Sequence, residues 1–149
     1  MISIGSDHAG YKAKEEIKKY FADNKIKYKD FGTFSEESCD YPVIAKAVAD
    51  SVVKKESEKG IIICGSGIGV SIAANKVNGV RAALCYKPEL AAMSRKHNDA
   101  NILCLGGRFT DISTILETVK SFLDTDFEGE RHQRRIDQIT DIENSQKIR

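Results

Sequence analysis

Hydrophobic positions along the chain recur in two alternating rhythms. Short unbroken apolar runs, MISIG, GIIICG, VRAALC and NILCLGG, are separated by longer stretches whose apolar residues return every three or four positions. Ala13, Ile17, Tyr20 and Phe21 mark the first such stretch, and Ile44, Val48 and Val52 the second. Leu90 and Met93 mark a later one, and Ile112, Ile115, Leu116 and Val119 the last before the tail. A weaker strand, IKYKDFG, falls between the first two helical patterns. Strands that are continuously apolar are buried on both faces, and strands separated by helices pair in parallel. The pattern therefore predicts an α/β fold in three layers around a five-stranded parallel sheet.

The rhythm changes after Asp126. The tail FEGERHQRRIDQITDIENSQKIR is charged, with Gly129 as its boundary, and predicts one extra C-terminal helix over the region 126–149. Neither a linker nor an internal repeat divides the 149 residues, so one domain over 1–149 is expected. With 23 basic and 22 acidic residues the net charge is +1, which implies no general attraction to nucleic acid or to a membrane surface. No apolar run approaches the roughly 20 residues of a membrane span, and the opening MISIGSDHAG lacks a leader pattern, so a cytoplasmic protein is expected.

Parallel sheets of this kind bind ligands beyond the carboxyl ends of their strands, where loops meet helix N-termini. The three clearest strands end in Ser6-Asp7-His8, Cys64-Gly65-Ser66-Gly67 and Gly106-Gly107-Arg108. Acid, imidazole, thiol, hydroxyl and guanidinium are thus expected along one edge. The loop GSGIG offers successive backbone N–H groups at a helix start and so predicts an anion site. It matches neither the Walker pattern nor G-x-G-x-x-G, and a tight strand-to-helix turn would need the same glycines. Cys64 would share the positive end of that helix, which favours a reactive thiolate, although simple packing at a strand end explains it equally. Ser66 is either a donor to an oxyanion or a turn residue. Asp7 reads first as a helix cap.

Cys39, Cys64, Cys85 and Cys104 are too scattered for a zinc framework, and Cys85 and Cys104 read as buried core. His97 shares a helical face with Leu90 and Met93, where a histidine is more often a satisfied core residue than a functional one. In the tail, Arg131 and Arg135 fall on the stripe of Ile139 and Ile142, with Arg134 pointing away. This suggests a helix lying on protein with two guanidinium groups turned toward an anion, or else surface ion pairs with Glu128 and Glu130.

Five segments carry a specific resemblance: GSDHAGYKAKEEI, FGTFSEESCDYP, IIICGSGIGVSIAANKVNGVRAA, SRKHNDANILCLGGR and FEGERHQRRI. Over nearly its whole length the chain resembles the type B ribose-5-phosphate isomerases, a family shared with galactose-6-phosphate isomerase subunits. The resemblance implies a Rossmann-like, homodimeric, metal-free and cofactor-free aldose–ketose isomerase of pentose phosphate metabolism. Carried over, Cys64 would be the base moving a proton between C1 and C2, and His97 would open the furanose ring. Asp7 and Asn98 would contact sugar hydroxyls. The amides of Gly65, Ser66, Gly67, Ile68 and Gly69, with the Ser66 hydroxyl, would stabilise the enediolate. Phosphate would fall to His8, Arg108, Arg131 and Arg135, the tail pair reaching a site shared with the partner subunit at the dimer interface. Tyr41 would line the pocket. One branch of the family replaces the cysteine with a glutamate just after the glycine loop; that position here is Val70, which matches the thiol branch.

Two other classes compete. A nucleotide-binding module using the loop as a phosphate cradle would want an acidic residue at the end of VRAALC, which is absent, and a thiol redox protein would want a second nearby cysteine. Within the family, a six-carbon sugar phosphate such as galactose or allose 6-phosphate is the alternative substrate.

Overall fold

Every apolar run of the sequence lies in one parallel sheet. In a computed structural model, which describes residues 1–146, the elements run β1 (Ile2–Ser6), a single 3-10 turn (His8–Gly10), α1 (Tyr11–Asp23), β2 (Tyr28–Asp30), α2 (Tyr41–Val53) and β3 (Lys59–Cys64). They continue with α3 (Ile68–Asn75), β4 (Ala82–Leu84), α4 (Pro88–Asn98), β5 (Ile102–Gly106), α5 (Ile112–Asp124) and α6 (Arg131–Ser145). The last three positions of the expected tail lie outside the described residues.

The sheet order is β2-β1-β3-β5-β4 and every pairing is parallel, as the alternation predicts. Side chains alternate across it. Ile61 and Ile63 of β3, with Leu103 and Leu105 of β5, enter a core shared with Ile17 and Phe21 of α1 and with Ile115 and Phe122 of α5. Ile62, Cys64, Ile102 and Cys104 face the opposite way, onto Val48 and Val52 of α2 and Val70 and Ala74 of α3. A strand buried on both faces needs an unbroken apolar run, and these runs supply it. The two edge strands are only three residues each, shorter than the sequence runs that predict them.

The connection from β1 moves one way along the sheet and the connection back to β3 the other, so a crevice opens between the carboxyl ends of β1 and β3. Asp7 N–H bonds the Ile63 carbonyl there at 3.2 Å. The segment after β2 is tied to the same end: Ser6 N–H donates to the Gly32 carbonyl and Thr33 N–H to the Ser6 carbonyl, both at 2.6 Å. Beneath them Lys14 is fully buried and bonds Asp30 at 2.7 Å and the Thr33 carbonyl.

Two helical faces differ from expectation. In α4 the Leu90 and Met93 side is 47% and 46% exposed, while Ala91, Ser94 and Arg95 are buried. Small residues allow α4 to pack closely with α5, and the larger apolar ones are left outside. In α6 the buried positions are His132 and Ile136, whereas Ile139 and Ile142 are 47% and 65% exposed. At about 100° per residue the inward stripe is His132–Ile136, with Arg131, Arg135 and Ile142 on its flank and Arg134 further round. The helix still begins just after Gly129, whose φ of 72° makes the turn.

Candidate active site

The carboxyl edge of the sheet assembles the first group of candidate residues through backbone contacts. Cys64 ends β3, 5% exposed, and its Sγ accepts the Gly67 N–H at 3.1 Å. A negatively charged sulfur accepts such a bond more strongly than a neutral one. Gly67 has φ 81°, and a Cβ there would lie 2.5 Å from a Leu84 methyl and 2.9 Å from the Leu105 carbonyl carbon, so only glycine makes this turn. Ser66 Oγ accepts the Ile68 N–H at 3.1 Å, and the Ser66 carbonyl accepts the Tyr86 hydroxyl. Two of the five loop amides, those of Gly67 and Ile68, are therefore already engaged within the loop.

The end of β5 is fastened to this turn. Gly107 N–H donates to the Cys64 carbonyl at 2.8 Å and Arg108 N–H to the Gly65 carbonyl at 3.0 Å, which sets the Arg108 side chain against Gly65. Tyr41, at the start of α2, lies against Gly69, where a Cβ would come within 2.6 Å of its ring. Asp7 is 7% exposed and accepts the Gly10 N–H at 3.0 Å, so the capping reading holds, for the 3-10 turn rather than for α1 itself. His8 Nδ1 accepts the Cys39 N–H at 3.2 Å. A neutral imidazole accepting at Nδ1 carries its hydrogen on Nε2, which makes that nitrogen a donor suited to an anion.

The remaining candidates lie elsewhere. Helix α4 starts beyond the carboxyl end of β4 and runs 11 residues back to the amino end of β5, a span of about 16 Å. His97 and Asn98 are its last residues, so within one chain they stand at the edge of the sheet opposite Cys64. Helix α6 starts beside them. His97 stacks on His132 with ring centroids 4.3 Å apart and planes 16° apart, and its Nε2 lies 3.6 Å from Glu128 Oε1. Burial first, then the neighbouring His97 and Arg131, push the His132 imidazole below its ordinary value. Arg131 and Arg135 are exposed on the same end of α6. His97, Glu128 and His132 each offer a donor atom within 4.8 Å of the others.

Buried Arg95 holds this second group in place, donating to the Ala100 carbonyl at 2.6 Å, to Asp99 at 2.7 Å and to the Thr125 carbonyl at 3.1 Å. Neither Arg95 nor His132, Lys14 or Tyr86 stands out in the sequence, and Glu128, read there as an ion-pair partner for the tail arginines, lies against His97. In GERHQRR the histidine is hidden among arginines, and its separation from His97 carries no periodic signal.

Cys85 and Cys104 are buried as expected, and burial pushes the Cys85 thiol up to about 11 and the Cys104 thiol higher still. Among the described residues, no helix is long and apolar enough to cross a membrane.

A doubly wound α/β chain with a thiol at the head of a glycine amide loop, and imidazoles and arginines at the far edge, has the parts of a proton-transfer enzyme acting on an anionic substrate. The chain belongs to the ribose/galactose isomerase family, whose model matches residues 2–139. It is 43% identical over 142 residues, 95% of each chain, to ribose-5-phosphate isomerase B of Escherichia coli. The ribose-5-phosphate isomerase B structure from Clostridium thermocellum superposes with a TM-score of 0.95 at 47% identity, covering 97% of both chains. The Mycoplasma genitalium enzyme, solved with bound ribulose-5-phosphate, does so with a TM-score of 0.91 at 44% identity, covering 96% of this chain and 95% of that one.

Proposed function

We propose that this chain is an aldose–ketose isomerase that interconverts ribose 5-phosphate and ribulose 5-phosphate through an enediolate, with Cys64 as the base. The observation that carries the reading is the Cys64 sulfur, 3.1 Å from an amide N–H at the head of the GSGIG loop. Cys64 takes the proton from C2 of the open-chain aldose and returns it to C1, while O1 gains a proton and the O2 hydroxyl loses one, so that the carbonyl passes from C1 to C2. A proton beside a carbonyl is too weakly acidic for a thiolate acting alone, so the charge that grows on the carbonyl oxygen must meet donors already in position. The loop amides not already engaged within the turn, together with the Ser66 hydroxyl, are those donors. Carbon C1 is reduced as C2 is oxidised, so the reaction needs no external electron carrier.

His97 opens the furanose ring, and Asp7 and Asn98 hold sugar hydroxyls. The phosphate falls to His8, Arg108, Arg131 and Arg135, with Tyr41 at the wall. One chain cannot bring His97, Asn98 and the α6 arginines to its own Cys64, because they occupy opposite edges of the sheet. The working unit is therefore a homodimer in which the carboxyl edge of one subunit meets the amino edge of the other, giving two identical sites about a twofold axis. Exposed Ile68 and Ile72 on α3, and Ile139 and Ile142 on α6, supply apolar surface for that contact. A mechanism that depends on a free thiol suits the reducing cytoplasm.

The test is turnover of ribose 5-phosphate, allose 6-phosphate and galactose 6-phosphate by one preparation. An added carbon between carbonyl and phosphate must buckle or misplace the reacting atom, and misplacement of about 1 Å costs ~10²-fold. Ribose 5-phosphate is expected to give the highest kcat/KM. A six-carbon winner would transfer the assignment to that sugar, and no turnover of any of the three would end the isomerase reading.

A further inference from the structure

The His97–His132 pair has a geometry that the ring-opening role alone does not require. His132 is 6% exposed on the first turn of α6, and its ring lies nearly parallel to His97 at 4.3 Å between centroids. Glu128, whose backbone N–H bonds the Lys96 carbonyl at 3.1 Å, sets its carboxylate 3.6 Å from His97 Nε2. The loop before α6 and the first turn of α6 thus both close on one imidazole of α4.

Donor atoms this close could hold a divalent cation, but two features oppose it. The lone pairs of an imidazole lie in its ring plane, so two stacked rings aim them side by side rather than at a common point. Arg131 and Arg135 also add permanent positive charge next to the pair. A stacked pair beside one carboxylate suits a single proton instead. Two imidazolium rings face to face would repel, and burial together with the neighbouring His97 and Arg131 holds His132 below its ordinary value, so His132 is the neutral ring of the pair.

We propose that His132 is a positioning residue for ring opening: its buried ring is the plate against which His97 is held, and together with Glu128 it presents the His97 imidazole to the sugar in one orientation. The proposal rests on the isomerase reading above. In ring opening the C1–O4 bond of the furanose breaks as O4 gains a proton and the O1 hydroxyl loses one, giving the aldehyde with no change of oxidation state. The ketose provides a control. Its O5 carries the phosphate, so ribulose 5-phosphate has no furanose form, and removal of its C1 proton needs Cys64 but no ring opening.

The experiment compares two rates in His132→Ala, His132→Phe and His97→Asn: aldose-to-ketose turnover, and exchange of the ketose C1 proton with deuterated solvent. His132→Ala is expected to lose at least about tenfold in kcat on ribose 5-phosphate with KM within a few-fold, and to lose far less in exchange. His132→Phe restores a flat neutral plate and should recover most of that loss. Equal losses in both rates for His132→Ala would overturn the proposal. So would a His132→Phe variant that is folded and dimeric yet no better than His132→Ala. His97→Asn separates the two levels of inference. If it too loses both rates equally, the ring-opening role of His97 fails first. If it splits the rates while His132→Ala behaves as wild type, only the plate is rejected.

Discussion

The carboxyl edge of the sheet sets its candidate side chains on a frame of backbone bonds and glycine turns, whereas the amino edge gathers its own at helix ends. At the first, a Cβ on Gly10, Gly67 or Gly106 would come within 2.5, 2.9 and 2.6 Å of neighbouring backbone atoms, so the loop can take only one shape. At the second, His97, Glu128 and His132 come from three segments, joined by the Arg95 bonds and by one backbone bond from Glu128 to Lys96. The difference teaches where each kind of error would tell. A rigid amide loop stabilises charge as it develops, while a side-chain cluster can approach from another subunit and be tuned by its neighbours.

The largest effect expected is at the rigid edge. Cys64→Ala should lower turnover by about 10²-fold or more and leave KM within a few-fold, since a proton-transfer base acts mainly in the transition state. Steady-state kinetics on both sugars checks it, and retention of half the wild-type turnover would remove Cys64 from the base role. The comparison itself is broken or kept by mixing. A Cys64→Ala dimer and a His97→Ala dimer are each expected to be nearly inactive. After subunit exchange, half of the dimers are mixed, and each of those holds one intact site, so activity should rise to roughly a quarter of wild type. No recovery despite demonstrated exchange would put both residues in one chain's site and contradict the separation of the two edges.

The sequence made one edge far more legible than the other, for physical reasons. Strands β1, β3 and β5 are buried on both sides, so their runs are continuous and their ends can be located; the glycine loop follows from the need for close backbone approach. The amino edge has no such signature. Periodicity shows that α6 has an apolar side but not its phase, because Ile136, Ile139 and Ile142 fit neighbouring stripes and only contact with the rest of the fold selects Ile136. In α4 the visible apolar residues, Leu90 and Met93, are the ones left outside, and the packing is done by Ala91 and Ser94, which read as neutral. Lys14 reads as surface and is fully buried.

That buried lysine underlies the third prediction, which asks whether the rigid edge depends on ion pairing. Burial alone would push the Asp30 carboxyl up, but the Lys14 ammonium, the Gly32 N–H and the Lys18 ammonium outweigh it and hold the carboxyl below its ordinary value. Removing one partner of a buried pair costs about 3–5 kcal/mol; because Lys18 also reaches Asp30, at 2.9 Å, Lys14→Met should cost about 2–3 kcal/mol. Thermal unfolding would fall by on the order of 6 °C. The sign with pH follows from the depressed value. The Asp30 contribution is complete above the ordinary carboxylate range near pH 4 and is lost as pH falls through the lower folded value. Wild type should therefore lose stability more steeply than Asp30→Asn below about pH 4. Parallel curves would show that the pair contributes nothing to holding the end of β1.

The smallest effects belong to the arginines of α6, and they sharpen the account of the flexible edge. Arg131 and Arg135 are four residues apart and flank the inward His132–Ile136 stripe, while Arg134 lies about 60° beyond Arg131, away from that stripe. All three are exposed in the single chain, so burial does not distinguish them. If the partner's carboxyl edge brings the phosphate to this flank, Arg131→Ala and Arg135→Ala each lose a charge-assisted bond to it. Such bonds are worth about 1.5–3 kcal/mol, so KM for ribose 5-phosphate should rise by roughly ten-fold or more. Arg134→Ala should stay within about two-fold, as for a surface charge whose field is screened by salt. Initial-rate kinetics of the three variants at one ionic strength decides the matter. Equal losses would mean that net positive charge, not orientation, draws the substrate in, and the flank would then have no special place in the site.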